Sequence, residues 1–195
     1  SAERQVERDR EERTQEDGGL DTESGFFHRN WSWLFASALV FVFMLVFMIA
    51  GQIGPFGSNS LTLIDSMHQY VPFFSDFQDK LKTGGSLFYT WDVGGGQHFQ
   101  SLMLYYIASP INFILVFFSR KAIPGVMSAI IVGKLIFSAG SFGYYLSRRN
   151  KKIVNSPMIT AFSVAFALNN YMAGYFWNIM WLDCIMVFPL IMLGY

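Results

Sequence analysis

From Leu34 to Ala50 the chain carries no charged side chain, and Trp31 and Trp33 stand just ahead of that run. A helix over residues 31–53 is long enough to cross about 30 Å of hydrocarbon, with the two indoles in the interfacial belt. The run is too long for a signal-peptide core, and no small-x-small cleavage site follows it, so it reads as an uncleaved anchor. Composition points the same way: 52% of residues are hydrophobic and only 14% charged, too apolar for an ordinary soluble domain.

The net charge of zero hides a strong asymmetry. Residues 1–30 hold nine acids and five Arg, a polar stretch that reads as a disordered cytoplasmic tail. A second span, about residues 125–147, ends in Arg148-Arg149-Asn150-Lys151-Lys152, a cytoplasmic marker under the positive-inside rule. The first span then runs outward and the second inward, with a large external loop over residues 54–124 between them. Lys134 interrupts the second span and must face protein or water, because an unpaired ammonium in lipid is costly. Leu102 to Phe118 is apolar but broken by Ser109-Pro110, and reads as a membrane-surface or re-entrant pair bent at the proline. Further spans are expected over about 153–170 and 181–195. The expected fold class is an all-α integral membrane protein, with juxtamembrane helices in its first external loop. A single cysteine, Cys184, rules out an intrachain disulfide. The chain lacks an initiator Met and stops inside an apolar run, which reads as a fragment.

The candidate chemistry lies in the loop. Spacing from Thr62 to Lys82 predicts an amphipathic interfacial helix with Tyr70, Phe73, Phe74, Phe77 and Leu81 on one side and Asp76, Gln78 and Asp79 on others. Asp65, His68 and Gln69 fall at i, i+3 and i+4 and would share a face, joining a base to polar positioners at headgroup level. Thr62-Leu-Ile-Asp65 equally has the form of a capping box, in which the acid satisfies the helix start. Trp91-Asp92-Val93-Gly94-Gly95-Gly96-Gln97-His98 is the second cluster. Its glycines permit close approach to a ligand or simply a flexible loop, and Trp91 offers a face for a sugar ring. It matches no nucleotide-binding fingerprint. His68 and His98 with Asp65 or Asp92 are metal-ligating types, but no close ligand spacing specifies a divalent metal. Asp183 is an acid at the outer end of a span, either lining the same cavity as Asp65 or marking the water interface.

The order of these features resembles the bacterial YfhO-type membrane protein family, whose members are similar to GT-C glycosyltransferases. The matching residues are Asn59, Asp65-x-x-x-Gln69-Tyr70-x-Pro72-Phe73, Gly84 to Trp91, and Gly94-Gly95-Gly96. They continue through Tyr105-Tyr106-x-x-Ser109-Pro110-x-Asn112 to Trp181-Leu182-Asp183 and Pro189-Leu190. The resemblance implies a protein of roughly a dozen spans, of which this chain is the N-terminal part of a GT-C-like bundle. It implies transfer of a sugar from a polyprenyl-phosphate carrier, on the outer face, to a cell-wall polymer acceptor such as a teichoic acid. Asp65 then takes the place of the acid in the first external loop, as general base or as a group orienting the acceptor or a metal. Substrate contacts are expected from His68, Gln69, Tyr70, Trp91, Asp92 and Asp183. Membrane lipids are expected partners, and nucleic acid is not.

Two rivals remain open from sequence. Lys134 within a span and the break at Ser109-Pro110 also suit a transporter or lipid flippase, since transporters build sites from discontinuous helices. A non-catalytic assembly subunit is the third reading.

Overall fold

The computed structural model describes residues 25–27, 30–149 and 155–195. The polar stretch up to residue 24, and Asn150, Lys151 and Lys152 of the cationic cluster, lie outside the described residues. The protein is an all-α membrane protein. Two helices, α1 (Asn30–Ala50) and the one ending at Arg149, are long and apolar enough to cross a membrane.

Along α1, Ser32, Ala36, Val40, Met44 and Met48 are buried. That strict four-residue recurrence marks one stripe of contact with a neighbour. The other faces expose Phe35, Phe41, Phe43, Val46, Phe47 and Ile49, an apolar surface suited to lipid. The neighbour is α4 (Ile123–Arg149). The two helices come close through small residues: a Cβ on Gly143 would lie 2.7 Å from the Trp33 Cβ and 2.7 Å from the Ser163 Oγ, and one on Gly140 would lie 2.7 Å from the Ser37 Oγ. Trp33 meets Tyr144 edge-on at this crossing.

α5 (Pro157–Ala167) packs on the Arg149 end of α4, with Phe142 and Phe166 stacked 4.3 Å apart. Ser156 caps it by accepting from the Met158 N–H. A short α6 (Asn170–Tyr175) then turns the chain into α7 (Ile179–Gly194), which lies along α4. α5 has 11 residues and α7 has 16, so neither matches the length of α4.

The loop segment is well packed. After Gly51 the chain closes on itself through the Asn59 side-chain amide and the Gly51 carbonyl, and the Leu61 N–H donates to Ser128 of α4. A π turn over Ser66–Tyr70 leads into α2 (Val71–Thr83), which stops at Gly84 in the left-handed region. A hairpin pairs β1 (Tyr89–Thr90) with β2 (Gln97–His98). Its tip needs Gly94, Gly95 and Gly96, whose φ angles are 60°, 79° and 119°. Next, α3 (Phe99–Leu102) runs into a π turn over Met103–Ile107. The chain breaks at Ala108–Ser109 and resumes as a 3-10 helix, Pro110–Phe117, at 105° to the first arm.

In one respect α2 departs from the expected interfacial helix: two of its polar residues are buried as well as its aromatic ones, while Asp79 stays accessible and pairs with Arg120. Asp76 and Gln78 are enclosed, because the hairpin and the 3-10 arm supply them with partners. Asp76 accepts from the Thr90 hydroxyl and pairs with Lys80, while Gln78 donates to the Leu115 and Phe118 carbonyls at the end of the 3-10 arm. Periodicity ranks faces by polarity. It does not show which polar side chains later find a buried partner.

The tight α1–α4 crossing gives a direct test. Gly143→Leu should force the Trp33 backbone away and lower stability by about 1–3 kcal/mol, read as a lower melting temperature in detergent; an unchanged melt would mean that the crossing is not close-packed.

Candidate functional site

Both π turns precede a proline. Pro72 has no N–H to close an ordinary turn behind it, and its ring crowds the carbonyl four residues back. The turn ahead of it opens to a five-residue repeat, with the Val71 N–H bonded to the Ser66 carbonyl. Met103–Ile107 opens in the same way ahead of Pro110. The two turns meet, and the candidate site forms where they do.

Asp65 stands at the start of the first turn, half-buried, and its side chain makes no cap hydrogen bond. Thr62 bonds Ser60 instead, so the capping box is not formed. The preceding residue, Ile64, has a φ of 49°, a left-handed value that a β-branched side chain rarely adopts. Such strain costs on the order of 1–3 kcal/mol and tends to gather at functional sites. Gln69 accepts at 3.1 Å from the Tyr106 hydroxyl. Tyr70 packs edge-on to Tyr106 at 5.1 Å, and Tyr106 in turn packs edge-on to Tyr105 at 4.7 Å. Asp65 acts electrostatically on both Tyr70 and Tyr106.

Tyr70 is the most enclosed of the group. Burial raises its pKa well above the ordinary tyrosine value, and Tyr106, Tyr105 and Asp65 add to the effect. Its hydroxyl, like that of Ser66 one turn before it, has no hydrogen-bond partner among the described residues. A buried, protonated and unpartnered phenol beside a carboxylate with no hydrogen bond is a pair of groups available to a ligand.

A second polar group lies deeper. Lys134, fully buried on α4, places its Nζ 2.8 Å from the Asp183 Oδ2 and donates to the Ile179 carbonyl at 2.9 Å. The other Asp183 oxygen accepts from the Ser109 hydroxyl at 3.0 Å. Asp183 therefore does not stand alone at an interface. Tyr105 and Tyr106 face it across a cleft of about 630 Å³ that is also lined by Ser109, Trp181 and Cys184. Tyr106 thus belongs to both groups.

The remaining sequence candidates are placed elsewhere. His68 is exposed, because the widened turn swings it off the face shared by Asp65 and Gln69. Trp91 is 76% exposed and packs on Tyr89, and the Asp92 N–H donates to the Thr90 hydroxyl. The hairpin therefore presents Trp91 and Asp92 apart from the tyrosine group. Among the described residues, no set of three His, Cys, Asp or Glu side chains is arranged to hold a metal ion.

Sequence reasoning did not single out Tyr105, Tyr106 or Ser109 as site residues, nor Asp183 as the partner of Lys134. One signal was available for the last of these. Lys134 needs a counter-ion, and Asp183 is the only acid after Asp92.

Tyr70→Phe should raise the stability of the unliganded protein by about 1 kcal/mol, since it removes a buried hydroxyl with no partner. The raised Tyr70 pKa also makes stability depend on pH. Its contribution is complete below the ordinary tyrosine value of 10.0 and is lost as pH climbs above it, because the unfolded chain then releases a proton that the folded one keeps. Melting curves from pH 8 to about 11 should therefore fall less steeply for Tyr70→Phe; parallel curves would count against an enclosed phenol.

The profile of the family described as "Bacterial membrane protein YfhO" matches residues 36–195. Neither a curated protein nor a solved structure matches the chain.

Proposed function

The chain belongs to the bacterial membrane protein YfhO family, and from that premise we propose that it forms part of a membrane glycosyltransferase. The donor is a sugar on a polyprenyl-phosphate carrier, and the acceptor is an extracytoplasmic envelope polymer such as a teichoic acid. The observation that carries this reading is the Asp65 carboxylate, which has no hydrogen bond and is held next to a strained residue and a tyrosine group. In this reading residues 54–124 lie on the outer side and the Arg148–Arg149 end of α4 is cytoplasmic.

The chemistry follows from those groups. An acceptor hydroxyl placed against Asp65 gives up its proton to the carboxylate as its oxygen attacks the anomeric carbon. The bond from that carbon to the carrier phosphate breaks, and its electron pair leaves with the phosphate. Attack from the face opposite the leaving group inverts the anomeric centre. The Tyr70 hydroxyl and Gln69 orient substrate hydroxyls, and the Asp183 cleft, at greater depth, receives part of the lipid-linked substrate. Trp91, Asp92 and His68 belong to a more exposed surface suited to a polymeric acceptor, with Trp91 offering a ring face to a sugar. Lys80, Lys82, Arg120 and Lys121 are the nearby cations for lipid or leaving-group phosphate. Lys80, held by Asp76 and the Tyr89 carbonyl, is the least free of them.

A second reading, transport or flipping of a lipid-linked substrate, draws support from the Lys134–Asp183 pair where the bent arms meet α7, since transporters place ion pairs at broken helices.

The test uses the full-length protein in lipid and follows labelled sugar from polyprenyl-phosphate to polymer. Asp65→Asn, folded as the parent is, should transfer at least about 100-fold more slowly. Equal rates would remove Asp65 as the base. Movement of intact donor between leaflets with no transfer in either protein would favour the transporter.

A further inference from the structure

Lys134 lies eleven residues into α4, about 16 Å along its axis from Ile123. The 3-10 arm Pro110–Phe117 has eight residues and also spans about 16 Å. The bend at Ser109 therefore reaches the depth of Lys134. There the two Asp183 oxygens are divided, one to the Lys134 ammonium and one to the Ser109 hydroxyl. The first arm of the bent pair is tied again close to the bend, where the Tyr106 hydroxyl bonds Gln69. A single brace, from the Asn112 amide to the Ile107 carbonyl, crosses the break itself. Tyr106 is three residues from Ser109. Whatever fixes the bend therefore fixes the Tyr106 phenol that bonds Gln69.

We propose that Lys134 is a positioning residue: by holding Asp183, and through it Ser109, it sets the bend so that Tyr106 stands against Gln69 and Tyr70, on the turn that Asp65 begins. The catalytic half of this inference rests on the sugar-transfer reading; the mechanical half does not. Lys134 is suited to the task because its side chain is fully enclosed and its ammonium has the Asp183 carboxylate and the Ile179 carbonyl as partners. Ser109 donates a charge-assisted hydrogen bond to the Asp183 carboxylate, and the ion pair with Lys134 keeps that acceptor in place. A small displacement of groups that orient a substrate is enough to slow a reaction strongly, even when the change lies far from the reacting atoms.

Cys184, the chain's single cysteine, is exposed and lines the same cleft, so it reports on the bend without any substrate. The experiment compares the full-length protein in lipid nanodiscs with Lys134→Met and Lys134→Arg. It measures Cys184 alkylation by a water-soluble maleimide and, separately, sugar transfer. For Lys134→Met, alkylation should rise at least about fivefold, and kcat should fall about 100-fold with the donor KM within about threefold. Lys134→Arg, which keeps the charge, should stay within about fivefold of the parent in both readouts. If Lys134→Met does not fold, the double variant Lys134→Met with Asp183→Leu removes the pair without stranding a charge. It should fold and show the same two changes. Parent-like alkylation in a folded variant lacking the pair overturns the positioning role. Faster alkylation with parent-like kcat overturns its link to catalysis. If the parent itself transfers no sugar, the sugar-transfer reading fails, and alkylation alone still decides whether Lys134 holds the bend.

Discussion

A lysine in the middle of an apolar helix imposes a condition on everything packed around it. The Lys134 side chain is fully enclosed, so α4 enters the bundle where a carboxylate meets it. Removing the carboxylate would strand a buried ammonium, at a cost of about 3–5 kcal/mol. Asp183 supplies the charge, and the Ile179 carbonyl at the start of α7 supplies a second acceptor. That requirement fixes the register of α7 on α4. Because Asp183 also takes the Ser109 hydroxyl, it sets the depth to which the bent pair descends as well. Three elements far apart in sequence are thus located by one ammonium group.

The loop follows from a different constraint, the two prolines that interrupt its helices. Each is preceded by a π turn, and each turn presents polar side chains that a regular helix would distribute around its axis. The first carries Ser66, Gln69 and Tyr70, the second Tyr105 and Tyr106. The wider repeat leaves His68 facing outward and brings Gln69 to Tyr106. The aromatic packing of Phe77 against Phe99 and Phe113 then holds α2 to both arms of the bent pair. This rigid support lies under the site, and the strained Ile64 and the uncapped Asp65 are at its edge.

Much of the fold was legible in the sequence because lipid makes strong demands on composition. The charge-free run after Trp31 and the long apolar stretch around Lys134 state their helical character openly. The break at Ser109-Pro110 is written in the proline. The contacts that assemble the site were less visible. The Gln69–Tyr106 bond spans 37 residues and the Ser109–Asp183 bond spans 74, and neither spacing has a local signature. The Thr62-to-Asp65 pattern pointed toward a capping box, but the turn that follows is a π turn led by a residue at positive φ, so the local motif gave way to the tertiary setting. The glycines at 94–96 offered a flexible loop or a ligand cradle, and their φ angles are those of a tight hairpin tip.

The two acids nearest the tyrosines are treated oppositely, and that contrast separates their roles. Both Asp183 oxygens are engaged, one by a buried ammonium. With both oxygens committed, Asp183 is suited to holding and orienting. Asp65 is half-buried, carries no hydrogen bond, and follows a residue whose backbone is held in a rarely populated conformation. Among the described residues none hydrogen-bonds its carboxylate, and the Tyr70 hydroxyl on the same turn is likewise without a partner. A carboxylate left open in this way stabilises nothing in the folded chain by its own bonds. Its lone pairs are open to a group with a proton to give, as an acceptor hydroxyl would be in the sugar-transfer reading.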